Sequence, residues 1–154
     1  MTVMNMISAT RVRAGAIGIG YQGQQIDQFV QHLLNQGVTR LVDVRLTPIS
    51  RKPGFSKTAL QAALTDVGIS YEHRRELGNP KANRDGFAGS DSELGQAKAR
   101  YAEALNTDAA RVSLEELARL STRERVAVLC FEADQHRCHR DVVLAHITGR
   151  LPGS

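Results

Sequence analysis

The residues best suited to chemistry lie close together near the carboxyl end of the chain. Cys130-Phe131-Glu132 is followed by Cys138-His139-Arg140, so two thiols, an acid, an imidazole and a guanidinium fall within eleven positions. Cys138 is predicted to lie at or just before a helix N-terminus, where unpaired amides and basic neighbours stabilise a thiolate. We therefore expect Cys138 to be a nucleophile, with Glu132 or His139 as the proton carrier.

Each of these residues also has a structural alternative. Cys130 ends an apolar strand, and free cysteines are often simply buried. Cys138 would alternatively be an inert residue near the helix cap. Glu132 would alternatively be an ion-pair partner that holds Arg140 or Arg45 in place. A zinc site is a third alternative, with four candidate ligands: Cys130, His136, Cys138 and His139. Because their spacing lacks the paired short knuckle of structural zinc sites, we predict no metal and no cofactor.

A second group of polar residues follows a predicted strand at 40–45. Arg45 and Asp43 are two positions apart, so they should point to the same side of that strand. Arg45, Ser50 and Arg51 are candidates to hold a phosphate or carboxylate, because a guanidinium binds such groups through two parallel hydrogen bonds. The alternative is a solvated loop with structural salt bridges.

The pattern of apolar residues predicts an α/β fold: a single domain with a mostly parallel sheet of about four or five strands flanked by helices. Strands are predicted at 16–20, 40–45, 126–130 and from Ile69. Helices are predicted at 26–34 and 56–67, and a last helix is predicted from near Cys138. Two more are predicted to begin at Ser90 and Ser113, because each serine has a glutamate three positions on, which suggests a capping box. We expect residues 1–14 and 150–154 to be flexible tails of this domain, 1–154.

Ligands of parallel sheets bind beyond the carboxyl ends of the strands. Three of the loops predicted there are rich in basic residues: Arg45, Arg51, Lys52, Arg74, Arg75, Lys81, Arg84, Arg137 and Arg140. The topology therefore gathers positive charge on one edge of the sheet.

Composition agrees with an ordinary globular protein. The hydrophobic fraction is 42%, the charged fraction is 23%, and the net charge of +4 permits a polyanionic partner without requiring one. The chain has no apolar run long enough to span a bilayer and no export signal, so we expect a cytoplasmic protein with no membrane partner, in which both cysteines are reduced thiols.

One glycine pattern has two interpretations. Gly18-x-Gly20-x-x-Gly23, trailed by Asp43, is similar to the dinucleotide-binding fingerprint. Gly18 would however lie deep in its strand, so dinucleotide binding is a minor alternative.

The motifs together resemble those of a bacterial and archaeal family called domain of unknown function 488. The similarity runs from about Ile17 to His146 and rests on these pieces: Ile19-Gly20-Tyr21, Phe29, Asp43-Val44-Arg45, Pro48, Ser50, Arg51, Phe55, Tyr71, Leu77-Gly78, and Cys130-x-Glu132 with Cys138-His139-Arg140. The resemblance implies an α/β fold and a site built from these loops, with Gly20-Tyr21 rather than Gly18 as the family feature. It implies no activity, because the family has none established.

The leading hypothesis is an anion-binding site for a phosphate-bearing ligand, a nucleotide or a nucleic acid, with thiol-dependent catalysis if a reaction occurs. The catalytic candidates are Cys138, Glu132 and His139, the anion-binding candidates are Arg45, Ser50, Arg51 and Arg140, and the supporting residues are Asp43, Tyr21 and Cys130. The rival hypothesis is a non-catalytic module that binds nucleic acid or a protein.

Overall fold

The computed structural model describes residues 14–149. Four strands, β1 (Gly15–Gly20), β2 (Arg40–Asp43), β3 (Ser70–His73) and β4 (Arg125–Cys130), alternate with helices. The α-helices are α1 (Ile26–Asn35), α2 (Lys57–Asp66), α3 (Asp91–Ala104), α4 (Asp108–Leu120) and α5 (Arg140–Thr148). The tails predicted at 1–14 and 150–154 lie outside the described residues, apart from Ala14. Within the described range, none of the helices has the length and apolar character needed to cross a bilayer.

The four strands form one parallel sheet in the order β1-β4-β2-β3. β4 occupies an interior position, and its residues from Val126 to Cys130 are all buried, as the continuous apolar run predicts. The register pairs Gly20 with Cys130 and Asp43 with Leu129, so the carboxyl ends of three strands meet at one edge. The predicted α/β fold with a mostly parallel sheet is confirmed.

The sheet separates two apolar layers. One layer contains Phe29 and Leu33 of α1 together with residues of α2, and the other contains residues of α3, α4 and α5. β4 contributes to both layers in alternation, because successive side chains of a strand point to opposite faces. Leu129 therefore packs with α1 and α2, whereas Cys130 packs on the side of α3, α4 and α5. Cys138 lies on that same side.

One of the two predicted capping boxes is confirmed and the other is wrong. Ser90 caps α3, and the Ser90 and Glu93 side chains each accept a hydrogen bond from the other residue's backbone amide. α4, however, begins at Asp108 rather than at Ser113, because the hydroxyl of Thr107 accepts a hydrogen bond from the Ala110 amide. Ser113 is a buried residue inside α4, and its hydroxyl accepts a hydrogen bond from Arg74 instead.

The polar segment between β3 and α3 is folded into three short 3-10 turns, at Arg75–Leu77, Lys81–Asn83 and Asp85–Ala88. Buried polar groups fix its path. The Tyr101 hydroxyl donates to the Leu77 carbonyl oxygen at 2.5 Å, and the Asn83 amide donates to the Ala97 carbonyl oxygen at 2.9 Å. This anchoring holds the following residues over the carboxyl edge of the sheet.

Candidate functional site

A cavity of about 190 Å³ opens at the carboxyl edge of the sheet. Its walls come from the segments after β1, β2 and β4 and from the turns between β3 and α3. The lining residues are Tyr21, Arg45, Leu46, Thr47, Ile49, Asn79, Arg84, Phe87, Cys130, Phe131, Glu132, Arg137, Cys138 and His139. Of the ten residues proposed from the sequence, six line it: Tyr21, Arg45, Cys130, Glu132, Cys138 and His139.

Arg45 is buried and is engaged by the protein itself. Its guanidinium makes two parallel hydrogen bonds with Asp43, at 2.9 and 2.7 Å, and donates to the Phe55 carbonyl oxygen at 2.7 Å and the Tyr21 hydroxyl at 3.2 Å. Burial alone would lower the pKa of Arg45, but the hydrogen bonds and charge of Asp43 raise it. The expected common side of Asp43 and Arg45 is confirmed, and the pairing gives Arg45 a mainly structural position at the cavity wall.

Ser50 and Arg51 stand apart from the cavity. The Ser50 hydroxyl accepts a hydrogen bond from the Lys52 amide at 3.1 Å, which stabilises the turn of its own loop. Arg51 is exposed, and neither residue is among those lining the cavity. The structure therefore does not bring Ser50 and Arg51 together with the cysteines.

The two cysteines are not the separate reduced thiols expected from the sequence. The sulfur atoms of Cys130 and Cys138 are in bonding contact, which makes the pair a disulfide. The reason is the fold: the segment after β4 turns back over the end of that strand, so Cys138 packs in the same buried layer as Cys130. The two residues are 3% and 2% exposed, so Cys138 is as deeply buried as Cys130.

His139 lies beside the sulfur pair and is held in one orientation. Its Nε2 is 2.9 Å from the Val44 carbonyl oxygen, and its Nδ1 is 3.7 Å from the Cys138 sulfur. A carbonyl oxygen only accepts hydrogen bonds, so Nε2 carries the proton and Nδ1 keeps its lone pair. Burial lowers the pKa of His139 to about 4, and the ring is neutral at pH 7.

Arg140 and Glu132 have different surroundings, although the sequence suggests that they pair. The Arg140 guanidinium is buried and donates to the Glu132 carbonyl oxygen at 2.6 Å and to the Cys130 sulfur at 3.5 Å. Arg140 therefore stabilises the loop that follows β4. Among residues 14–149, no hydrogen bond or salt bridge to the Glu132 carboxylate was found, and Glu132 lines the cavity. Burial raises the pKa of Glu132, while the charges of Arg140 and Arg84 oppose that shift.

Arg84 and Arg137 line the cavity and were not chosen as site residues from the sequence. Within the described part of the chain, the exposed Arg84 side chain has no hydrogen-bond or salt-bridge partner. Arg137 donates to the carbonyl oxygens of Phe87 and Gly89 at 3.2 and 2.7 Å, and its contact with the exposed Asp91 is longer, at 3.5 Å. Both belong to the basic strand-end loops recognised in the sequence, but only the folded path of those loops distinguishes them from Arg51 and Arg74.

Of the four candidate zinc ligands, three come together. Donor atoms of Cys130, Cys138 and His139 all lie within 4.8 Å of one another. His136 is exposed and points elsewhere, with its Nδ1 3.2 Å from the Lys98 amine.

The glycines of the suggested dinucleotide fingerprint are in close packing contacts. A Cβ atom at Gly18 would overlap the Gln135 side chain, and one at Gly20 would overlap the Glu132 backbone. Their lack of a side chain lets the loop after β4 pack tightly over β1, which accounts for both glycines without a bound pyrophosphate.

Fold and cavity together define a parallel α/β domain with a polar cavity at the carboxyl edge of its sheet. A family model described as Domain of unknown function DUF488 matches residues 25–147, and the chain belongs to this family. The match includes both cysteines and leaves Ile19-Gly20-Tyr21 outside its range. Searches of curated proteins and of solved structures found no match.

Proposed function

We propose that the cavity binds the anionic group of a phosphate- or carboxylate-bearing molecule. The observation that supports this best is the imbalance of charge on its wall. Three guanidinium groups, those of Arg45, Arg84 and Arg137, face a single carboxylate, that of Glu132, among the described lining residues. Since Asp43 neutralises Arg45 and Asp91 lies 3.5 Å from Arg137, the charge available to a ligand comes mainly from Arg84.

The size of the cavity suits part of a ligand. At about 190 Å³ it is smaller than the roughly 300–1,000 Å³ of pockets that enclose a drug-sized molecule. The anionic group would occupy it, with hydrogen bonds from Thr47 and Asn79, while the remainder lies outside. Ile49 and Phe131 line the same cavity and are 75% and 45% exposed, so the mouth offers apolar surface for a planar group such as a nucleobase.

Isothermal titration with inorganic phosphate and a nucleotide panel at low salt tests this proposal. Arg84→Ala should weaken binding by about 1.5–3 kcal/mol, roughly a factor of ten to one hundred, because a hydrogen bond to a charged group is lost. Arg51→Ala is the matched control, since it removes the same charge from a loop outside the cavity. We expect Arg51→Ala to bind as the wild type does.

The same titration separates the cavity from a general basic surface. A nucleic acid held along such a surface would bind with a steep dependence on salt, and the two arginine variants would weaken it alike. That result, or no binding of any small anion, would contradict the cavity proposal and favour a non-catalytic nucleic-acid-binding module.

Thiol-dependent chemistry at the cavity floor is a second candidate function. Both cysteines line the cavity together with His139, whose Nδ1 lone pair faces the Cys138 sulfur, and Glu132, whose carboxyl group has no partner among residues 14–149. After reduction, Cys130 or Cys138 would be the nucleophile and Glu132, with its raised pKa, the proton carrier. A bound anion should then slow alkylation of the reduced protein. Unchanged alkylation at saturating anion would argue against a reaction centre in this cavity.

A further inference from the structure

Three donors for a soft or borderline metal ion meet at the floor of the cavity. The sulfur atoms of Cys130 and Cys138 and the Nδ1 atom of His139 lie within 4.8 Å of one another. Cys130 ends the interior strand β4, and the other two residues immediately precede α5. Although Cys138 and His139 lie in the turn before α5, Cys138 is buried and the His139 ring contacts the Val44 carbonyl oxygen, so this turn is packed against the fold.

His139 already has the arrangement that a ligand histidine needs. Its Nε2–H donates to the Val44 carbonyl oxygen, so the unprotonated Nδ1 faces the sulfur atoms. Histidines bound to metals usually donate their second ring N–H to a carbonyl or carboxylate in this way, which fixes both the tautomer and the ring orientation. An edge-to-face contact between the His139 and Tyr101 rings, with 5.1 Å between their centroids, restricts the imidazole ring further.

The spacing of the His139 nitrogen and the Cys138 sulfur fits a small tetrahedral ion, whereas the two bonded sulfur atoms must move apart on reduction. Zinc binds sulfur at about 2.3 Å and imidazole nitrogen at about 2.0–2.1 Å, so tetrahedral geometry places nitrogen and sulfur roughly 3.5 Å apart. The distance from His139 Nδ1 to the Cys138 sulfur is 3.7 Å. The Cα atoms of the two cysteines are 7.3 Å apart, which is wider than the usual disulfide range of roughly 4.4–6.8 Å and leaves room for an ion between two thiolates.

We propose that the reduced chain binds one Zn²⁺ ion through Cys130, Cys138 and His139, with the fourth coordination position open to the cavity. A dithiol reductant supplies two electrons and two protons to break the disulfide and is itself oxidised to a disulfide; the metal then displaces the two thiol protons. Two thiolates balance the charge of the ion, and sulfur and nitrogen donors select zinc over magnesium or calcium. Three protein ligands with one open position are typical of catalytic rather than structural zinc sites.

This inference does not depend on anion binding, and the two can fail separately. Zinc binding uses the sulfur atoms and His139, whereas anion binding is tested at Arg84. Zinc binding and nucleophilic attack by Cys138 are alternative uses of the same thiols, because a thiolate bound to zinc is shielded from alkylation.

Cobalt(II) titration of the whole reduced chain, in a phosphine reductant and after chelator treatment, tests the site. We expect one equivalent to give the intense visible bands of a tetrahedral ion with a thiolate-to-cobalt charge-transfer band, and zinc to displace it. Cys138→Ser and His139→Gln should lower the affinity at least roughly 100-fold, since even residues that only support a ligand are worth roughly 10–100-fold. His136→Ala is the matched control and should bind cobalt as the wild type does.

Measurements on the wild type keep the proposal testable where a variant fails to fold. Zinc should protect both thiols of the reduced wild type from alkylation, and a chelator should restore labelling. Absence of a thiolate-to-cobalt band in the reduced wild type would overturn the site. An undiminished band in Cys138→Ser or in folded His139→Gln would also overturn the assignment of ligands.

Discussion

The carboxylate of Asp43 and the guanidinium of Arg45 form a buried ion pair through two parallel hydrogen bonds at the end of β2. Asp43 is 0% exposed and Arg45 is 7% exposed. Asp43 also accepts a hydrogen bond from the Tyr71 hydroxyl at 2.6 Å, which ties β2 to the neighbouring strand β3. Arg45, which the sequence suggests as an anion ligand, is therefore mainly a structural residue at the wall of the cavity.

Arg45→Ala should destabilise the protein by about 3–5 kcal/mol, because it leaves the Asp43 carboxylate buried without its partner. Urea denaturation measures the effect as a lower midpoint at unchanged slope. Arg51→Ala is the control and should change the free energy of unfolding by less than about 0.5 kcal/mol, as exposed loop substitutions do. A fully stable Arg45→Ala protein would show that the ion pair does not hold this edge of the sheet together.

Tyr71→Phe should cost on the order of 1.5 kcal/mol, since the hydroxyl donates to a charged acceptor that keeps its bonds to Arg45. Thermal or urea unfolding would show this loss. Combining Tyr71→Phe with Asp43→Asn in a double-mutant cycle should give a clear coupling energy. Strictly additive effects of the two substitutions would indicate that the bond between them contributes nothing.

A network of alternating charges crosses the sheet and should make the free energy of unfolding depend on pH. Glu124, Arg40, Glu72, Arg74 and Glu116 are linked in that order by salt bridges of 2.7–3.1 Å. Burial would raise the pKa of Glu124, but hydrogen bonds from Arg40 and Thr39 lower it, and a hydrogen bond from Arg74 lowers the pKa of Glu116.

Because the folded-state pKa values of these two glutamates are depressed, their contribution is present above the ordinary value of 4.5 and is lost as the pH falls below it. The free energy of unfolding should therefore decrease between about pH 5 and pH 3. Glu124→Gln should reduce this decrease, when both proteins are compared by urea denaturation across that range. An identical pH profile for the variant would exclude Glu124 as a contributor.

Ser90 and Ser113 test where helices begin. Ser90→Ala removes the cap of α3 and should cost about 0.5–2 kcal/mol. Ser113→Ala should cost less, because Arg74, which donates to the Ser113 hydroxyl, also keeps its bonds to Glu72 and Glu116. Urea denaturation of both variants gives the comparison, and a larger loss for Ser113→Ala would contradict it.

These two serines also show what sequence patterns determine. Both have a glutamate three positions on, so the local pattern is the same. Only Ser90 follows a break in the helical path, whereas Ser113 continues a helix that Thr107 already caps. The strands were easier to predict, because the apolar run at 126–130 and the order of elements require a buried parallel sheet.

The sequence predicted which loops form the site, but not which of their arginine side chains line the cavity. Parallel strands bring their carboxyl ends together, so the sequence alone places Arg45, Glu132 and the cysteines at one edge. Which arginine lines the cavity depends on the three turns between β3 and α3, which place the exposed Arg84 side chain at its wall. Arg51, equally basic and equally close to a strand end, stays in solvent.

The cysteines give the last prediction, and it differs from the one drawn from the sequence. Because the folded chain joins Cys130 to Cys138 and buries both, neither should react with an alkylating reagent before reduction. The intact mass should then be lower than that of the dithiol by two hydrogen atoms.

After reduction, Cys130 should react at least as fast as Cys138, although the sequence marks Cys138 as the nucleophile. Arg140 places a guanidinium nitrogen 3.5 Å from the Cys130 sulfur, where it favours the thiolate, whereas the Cys138 sulfur contacts the neutral ring of His139 at 3.7 Å. Both sulfur atoms line the cavity, so access does not separate them. Peptide mass spectrometry after brief alkylation of the reduced, folded chain, without added metal, measures the order. Selective labelling of Cys138 would show that Arg140 does not favour the Cys130 thiolate, and any labelling before reduction would show that the two sulfur atoms are not joined in the folded chain.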